Sequence, residues 1–255
     1  MRVVAVIPAR MGSSRFPGKP MALIHGFPMI GHCYARISQC PHVDDTFVAT
    51  CDREIFEFIS SIGGKVVMTS DQHERASDRA AEAMLKIEAF SQQRTDILVM
   101  AQGDEPMDTP EMVTEALHPM LSSKRPSVVN LMSTIETEGD FENPNTVKVV
   151  VDQEQNAIYF SREPIPSRKK CESPFSTFKQ VCIIPFTRDF LLEFNSTRQT
   201  PLEKIESIDM LRVIESGKKV RMVLTSSQVH PVDTPEDLRH VEELMITDAL
   251  MQTYI

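Results

Sequence analysis

Over the first hundred residues, short apolar runs alternate with stretches of helical period. Val3–Ile7, Thr46–Thr50, Lys65–Thr69 and Ile97–Ala101 are runs of strand length. Between them, helices are predicted from about Pro28 to Gln39, Asp52 to Ile62 and Asp78 to Phe90. Pro28 suits a first helical turn, and Ile30, Cys33, Tyr34 and Ile37 then repeat on one face. Strand and helix in regular alternation predict an α/β fold with a mostly parallel sheet covered on both faces. A further helix is predicted from Pro110 to about Ser122. The pattern then changes. Ser127–Ile135, Val147–Asp152 and Ala157–Ser161 are strand-like and separated by polar turns, and residues 163–178 form a Pro-, Ser- and Lys-rich loop or arm. Lys179–Pro185 is a strand, Arg188–Asn195 and Leu202–Ser216 are helices, Val220–Thr225 is a strand, and a last helix starts at Thr234. The expected architecture is one domain over residues 1–255, with an antiparallel, strand-rich insertion at 127–186.

Charge changes this picture. The 255 residues sum to −9, yet the first acidic residue is Asp44, and residues 1–43 carry Arg2, Arg10, Arg15, Lys19 and Arg36. Nucleic-acid and membrane-surface binders spread positive charge over a broad face, so no nucleic-acid or membrane partner is expected, and a small anionic ligand remains. No apolar run approaches the ~18 residues a membrane helix needs. Val3–Ile7 is followed at once by Pro8 and Arg10, unlike a secretory signal, so a cytoplasmic protein is expected. Five cysteines without a C-x-x-C pair are expected to be reduced structural thiols.

Three of the cations lie in Ile7-Pro8-Ala9-Arg10-Met11-Gly12-Ser13-Ser14-Arg15-Phe16-Pro17-Gly18-Lys19-Pro20, directly after the first strand, where open α/β sheets place nucleotide sites. Gly12 and Gly18 allow close backbone approach, Ser13 and Ser14 offer donors, and the cations suit a triphosphate. The pattern matches neither a Walker A loop nor a dinucleotide-binding fingerprint. A solvated turn with incidental charges is the alternative. Asp104 follows the strand Ile97–Ala101 at the same sheet edge, and it either binds a cation or only turns the chain before the next helix. Near Asp233, Thr234, Pro235 and Asp237 account for a helix start and leave Asp233 over.

The loop pattern P-A-R-x-x-S-x-R-x-P-G-K-P resembles the signature of the sugar-acid cytidylyltransferases, most closely the branch acting on 3-deoxy-manno-octulosonate (Kdo). Further matches are Gln102-Gly103-Asp104-Glu105-Pro106, Asn143-Pro144-Asn145 with Val147-Lys148, Tyr159-Phe160-Ser161-Arg162, Pro201-Leu202-Glu203 and Val232–Asp237. The resemblance implies a single nucleotide-diphospho-sugar-transferase-like, Rossmann-like domain. It implies CTP phosphate contacts from Arg10, Arg15 and Lys19, a cytosine contact near Ala9, and nucleotide contacts from Gly12, Ser13, Gln102 and Gly103. It also implies Mg²⁺ held by Asp104 and Asp233, and a homodimer built through residues 127–186. Two carboxylates ~4 Å apart repel by roughly 4 kcal/mol at an effective dielectric of 20, so a cation between them is the natural resolution.

Where the family has S-G-T-[DE]-R for base and ribose, this chain has Ala76-Ser77-Asp78-Arg79, so Arg79 either reads the base or is solvated. On the acceptor side the family's H-L-G-I-Y and L-E-Q-L-R correspond here to Gln180–Ile184 and Ile208–Arg212. Gln180, Ile184, Asp209 and Met210 are therefore the candidate acceptor-facing residues, and their departures suggest an acceptor related to Kdo rather than Kdo itself. Arg162 either holds the acceptor carboxylate or makes an ion pair at a strand end. Arg168, Lys169 and Lys170 are expected to be solvated. The implied reaction is CMP transfer from CTP to the anomeric hydroxyl of a 3-deoxy-2-ulosonic acid, releasing pyrophosphate. Lys19, Arg10, Asp104 and Asp233 are its catalytic residues, and the activated sugar would serve lipopolysaccharide or surface polysaccharide synthesis. A nonulosonate or phosphonate acceptor, and a silent nucleotide-binding homologue, are the alternatives.

Overall fold

Val3–Ala9 is buried almost end to end, as a strand must be when it lies between two others with helices on both faces. The computed structural model describes every residue except 13, 14, 124 and 170–174. Along the chain come β1 (Val3–Ala9), the hairpin strands β2 (Leu23–Ile24) and β3 (Phe27–Pro28), α1 (Met29–Ile37), β4 (Asp45–Thr50), α2 (Arg53–Ser61), β5 (Val66–Met68), α3 (Ala76–Ser91), β6 (Ile97–Ala101) and α4 (Pro110–Leu117). Next come β7 (Val129–Thr134), α5 (Glu138–Glu142), β8 (Lys148–Val151), β9 (Ala157–Ser161), β10 (Phe178–Val181) and β11 (Ile183–Thr187). The remaining elements are α6 (Arg188–Ser196), α7 (Pro201–Glu206), α8 (Met210–Glu215), β12 (Arg221–Leu224) and α9 (Pro235–Met245). The mixed α/β class expected from the pattern is the one observed.

The chain forms two compact units, residues 1–114 with 229–255, and residues 115–228. One domain with an insertion at 127–186 was the expectation; that segment lies wholly inside the second unit, which extends beyond it on both sides.

In the first unit, β6, β1, β4 and β5 stand side by side, all parallel. The parallel register brings the carboxyl ends of β1 and β6 together, since Val3 pairs with Ile97 and Val6 with Met100. Ile24, Met29, Val232, Val241 and Met245 form a buried cluster that packs α9 against β2 and the start of α1. Thr234 and Asp237 make the expected capping box at the start of α9.

In the second unit, β7 pairs antiparallel with β10 and parallel with β12, while β8 joins β10 and β9 joins β8, both antiparallel. Two expectations are corrected here. Lys179–Pro185 is not one strand but two, interrupted at Cys182. Leu202–Ser216 is not one helix, because Ser207 takes a left-handed conformation at φ 54° and separates α7 from α8. A continuous helix would place Glu203 and Arg212 about two and a half turns apart, on opposite faces. The break lets Arg212 Nη2 and Nε donate to Glu203 at 2.5 and 2.8 Å, with both side chains almost fully buried. Arg212 also donates to the carbonyls of Phe194 and Thr197.

Glu203→Gln would leave the Arg212 charge uncompensated in the interior. Equilibrium urea unfolding should show a loss of about 3–5 kcal/mol, and a loss below about 1 kcal/mol would contradict this reading of the break.

Candidate functional site

The loop after β1 is shaped by its glycines. Gly18, at φ 75°, donates its amide to Met11 O at 2.9 Å, and Met11 donates to Asp52 Oδ2 at 2.8 Å. A single 3₁₀ turn, Lys19–Met21, then begins at Lys19. At the end of β6, Gly103 permits a close approach: a Cβ there would lie 3.0 Å from Ile30 Cδ1 and 3.1 Å from Pro8 O. The third segment is tied in by its backbone, as Val232 donates to Asp104 O at 2.9 Å. Asp237 Oδ2 accepts from the amides of Asp233 and Thr234, which fixes the turn carrying Asp233.

These constraints bring charges from three distant segments together. Lys19 Nζ lies 2.6 Å from Asp104 Oδ2, 3.2 Å from Asp233 Oδ1 and 3.0 Å from Val232 O. Arg15 Nη1 lies 3.0 Å from Asp233 Oδ2. Burial opposes the charge on Lys19, but Asp104 and Asp233 outweigh it and raise its pKa above the ordinary value, so the ammonium stays charged at neutral pH. The two Lys19 pairs correspond to roughly 5 to 6.5 kcal/mol each of Coulomb attraction at an effective dielectric of 20, before desolvation. Beside Asp104, burial and then Glu105 push the Asp108 carboxyl well above its usual range. Burial does the same for the Cys33 thiol, which is inert there.

A cavity of about 550 Å³ opens at this sheet edge. Ala9, Arg10, Gly12, Arg15, Lys19, Arg79, Gln102, Gly103 and Asp104, all candidates from the sequence, line it together. Ser13 lies outside the described residues. Arg79 is 3% exposed; its Nη1 donates to Thr69 Oγ1 at 2.5 Å and Ser70 O at 3.2 Å, while its buried Nη2 has no partner among the described residues. A solvated Arg79 is therefore excluded. His73, Glu74 and Arg75 also line the cavity and were missed. Their signal was their position just before Ala76–Arg79 in the same β5–α3 connection.

The expected acceptor residues all lie in the second unit. The Arg162 guanidinium donates to the carbonyls of Glu206 at 2.7 Å, Pro144 at 3.0 Å and Ser207 at 3.4 Å, so it ties the ends of β9 and α7 together. Ile184 and Met210 are buried and offer no surface to an acceptor, and Gln180 Nε2 donates to Asn130 Oδ1 at 2.6 Å. Asp209 is the N-cap of α8 and accepts from the Arg212 amide through its carbonyl. Arg168 keeps about a third of its side chain exposed (36%) while it stacks 3.7 Å over the Phe141 ring and pairs with the exposed Glu138. Lys169 is exposed, and Lys170 lies outside the described residues.

A cytidylyltransferase family model matches residues 4–220. A 3-deoxy-manno-octulosonate cytidylyltransferase of Geobacter metallireducens is 42% identical over 253 residues, covering 95% of this chain and 97% of the relative. The protein of that name from Thermodesulfovibrio yellowstonii is 40% identical over 254 residues, covering 97% and 99%. A solved CMP:2-keto-3-deoxy-manno-octonic acid synthetase, in complex with CTP, superposes with a TM-score of 0.89 at 38% identity, covering 97% of this chain and all of that one. With its cationic loop, its paired aspartates and this similarity along nearly its whole length, the chain belongs to the cytidylyltransferase family.

Proposed function

We propose that the protein transfers CMP from CTP to the anomeric hydroxyl of a 3-deoxy-2-ulosonic acid, Kdo or a close analogue, and releases pyrophosphate. The observation that carries this reading is the meeting of Lys19, Arg15 and Asp104, which line a cation-rich cavity, with Asp233. The names of the relatives supply the substrate class. With Ile184 and Met210 buried and Gln180 bonded to Asn130, their departures from the family pattern no longer argue against Kdo itself.

Arg10, Arg15 and Lys19 would neutralise the triphosphate and the pyrophosphate leaving it, since charge-assisted hydrogen bonds to phosphate are the strong ones. The sugar hydroxyl oxygen would bond to the α-phosphorus as the bond from that phosphorus to the bridging β-phosphate oxygen breaks, with the hydroxyl proton passing to solvent. Asp104 and Asp233 suit Mg²⁺, a hard ion that takes one or two protein carboxylates plus phosphate oxygens, and they already converge on one cationic atom, Lys19 Nζ. Bound there, Mg²⁺ would lower the pKa of the attacking hydroxyl and shield the phosphate oxygens. Arg79 lines the cavity and its Nη2 has no partner among the described residues, which makes it a candidate donor to the nucleotide. This reading includes a homodimer formed through residues 127–186 and a cytoplasmic role in supplying activated sugar for lipopolysaccharide or surface polysaccharide. No helix among the described residues is long and apolar enough to cross a membrane.

A pyrophosphate-release screen pairing the four nucleoside triphosphates with ulosonic acids and phosphonates tests the reaction. Turnover is expected with CTP and Kdo, and silence with every acceptor would overturn it. Asp104→Asn should lower kcat by at least about a thousandfold, ~4 kcal/mol, with an unchanged fold by circular dichroism. Arg79→Met should raise KM for CTP about ten- to a hundredfold with kcat changed only a few-fold, the loss expected of one charged hydrogen bond.

A further inference from the structure

Lys19 stands where a divalent cation held by both aspartates has to stand. Its ammonium makes three contacts there, with Asp104 Oδ2, Asp233 Oδ1 and Val232 O, and Arg15 takes the second oxygen of Asp233. Each aspartate thus already has a cation of the chain itself.

We infer that Lys19 is a placeholder, holding Asp104 and Asp233 together and keeping divalent cations out until a triphosphate arrives to receive its ammonium. The inference rests on the metal role proposed above for the two aspartates. Mg²⁺ binds carboxylate oxygens at about 2.0–2.1 Å. Lys19 Nζ lies only 2.6 Å from one of these oxygens, so ion and ammonium would be neighbours of like charge sharing the same ligands. One has to leave. The Lys19 side chain is only 13% exposed, so withdrawal exchanges three protein acceptors for whatever the cavity offers. Without nucleotide, the cavity lining offers the charge four cations, Arg10, Arg15, Arg75 and Arg79, against one further carboxylate, Glu74. A triphosphate reverses that balance by supplying anionic oxygens within reach of the four-carbon stem, while Gly18 and the 3₁₀ turn keep the Lys19 backbone in place. Metal binding and triphosphate binding are then coupled, and the coupling is reciprocal.

The test is Mn²⁺ binding to the nucleotide-free protein, followed by loss of the free-ion signal in electron paramagnetic resonance. Lys19→Met should bind Mn²⁺ at least tenfold more tightly than wild type, and adding Asp104→Asn should remove the gain. Lys19→Gln serves if the Met variant does not fold, with the same expected gain, and Lys19→Arg should stay within a few-fold of wild type. Equal affinity in Lys19→Met, Lys19→Gln and wild type, with Asp104→Asn still weakening binding, overturns the placeholder and leaves the metal site standing. Binding insensitive to Asp104→Asn in every background overturns both.

Discussion

The arrangement of the first unit turns on one electrostatic constraint: Asp104 and Asp233, far apart in sequence, face one point and need a cation there. The packing around them serves to hold them in that position. Parallel pairing of β1 with β6 sets the end of β6 beside the cationic loop. The Val232 amide to Asp104 carbonyl bond and the buried cluster under α9 bring the third segment in. Without Lys19 and Arg15 the same packing would store like-charge repulsion, and with them it stores attraction that a metal and a triphosphate can exchange for their own.

The charge excess of the first 43 residues divides cleanly by role. Arg10, Arg15 and Lys19 line the cavity. Arg2 instead joins strand and helix ends, donating to Asp45 Oδ2, Ser91 Oγ and Gln93 O. Arg36 is buried against Asp248 and the Tyr254 hydroxyl, fastening the end of the chain to α1. Burial, chiefly, pushes the Tyr254 phenol up to about 12, so it stays a neutral partner for Arg36 and His32.

Much of this was legible in sequence where a local rule applied. Apolar runs bounded by turns gave β1, β4, β5 and β6 to within two residues, and Thr234 with Asp237 gave the start of α9. The loop cations and Asp104 were legible because charged groups at the carboxyl edge of a parallel sheet have few structural uses. What stayed open in the sequence lay where side chains answer to backbone. Arg162 sits in a segment shared with the family, but its partners are main-chain carbonyls, which leave no mark in a sequence. The family-like Pro201-Leu202-Glu203 proved to hold a buried ion pair with Arg212, enabled by a left-handed Ser207 that no periodicity announces. A shared motif therefore says that a residue matters and leaves open whether it touches a ligand or the fold.

The central claim is that one cation at a time occupies the point between Asp104 and Asp233. A crystal structure of the protein with CTP and Mn²⁺, read by anomalous scattering at the manganese edge, tests it most directly. A manganese peak within coordination distance of both aspartates is expected, with the Lys19 ammonium turned onto the triphosphate. Lys19 still seated between the aspartates, with manganese bound elsewhere on the nucleotide, would contradict it.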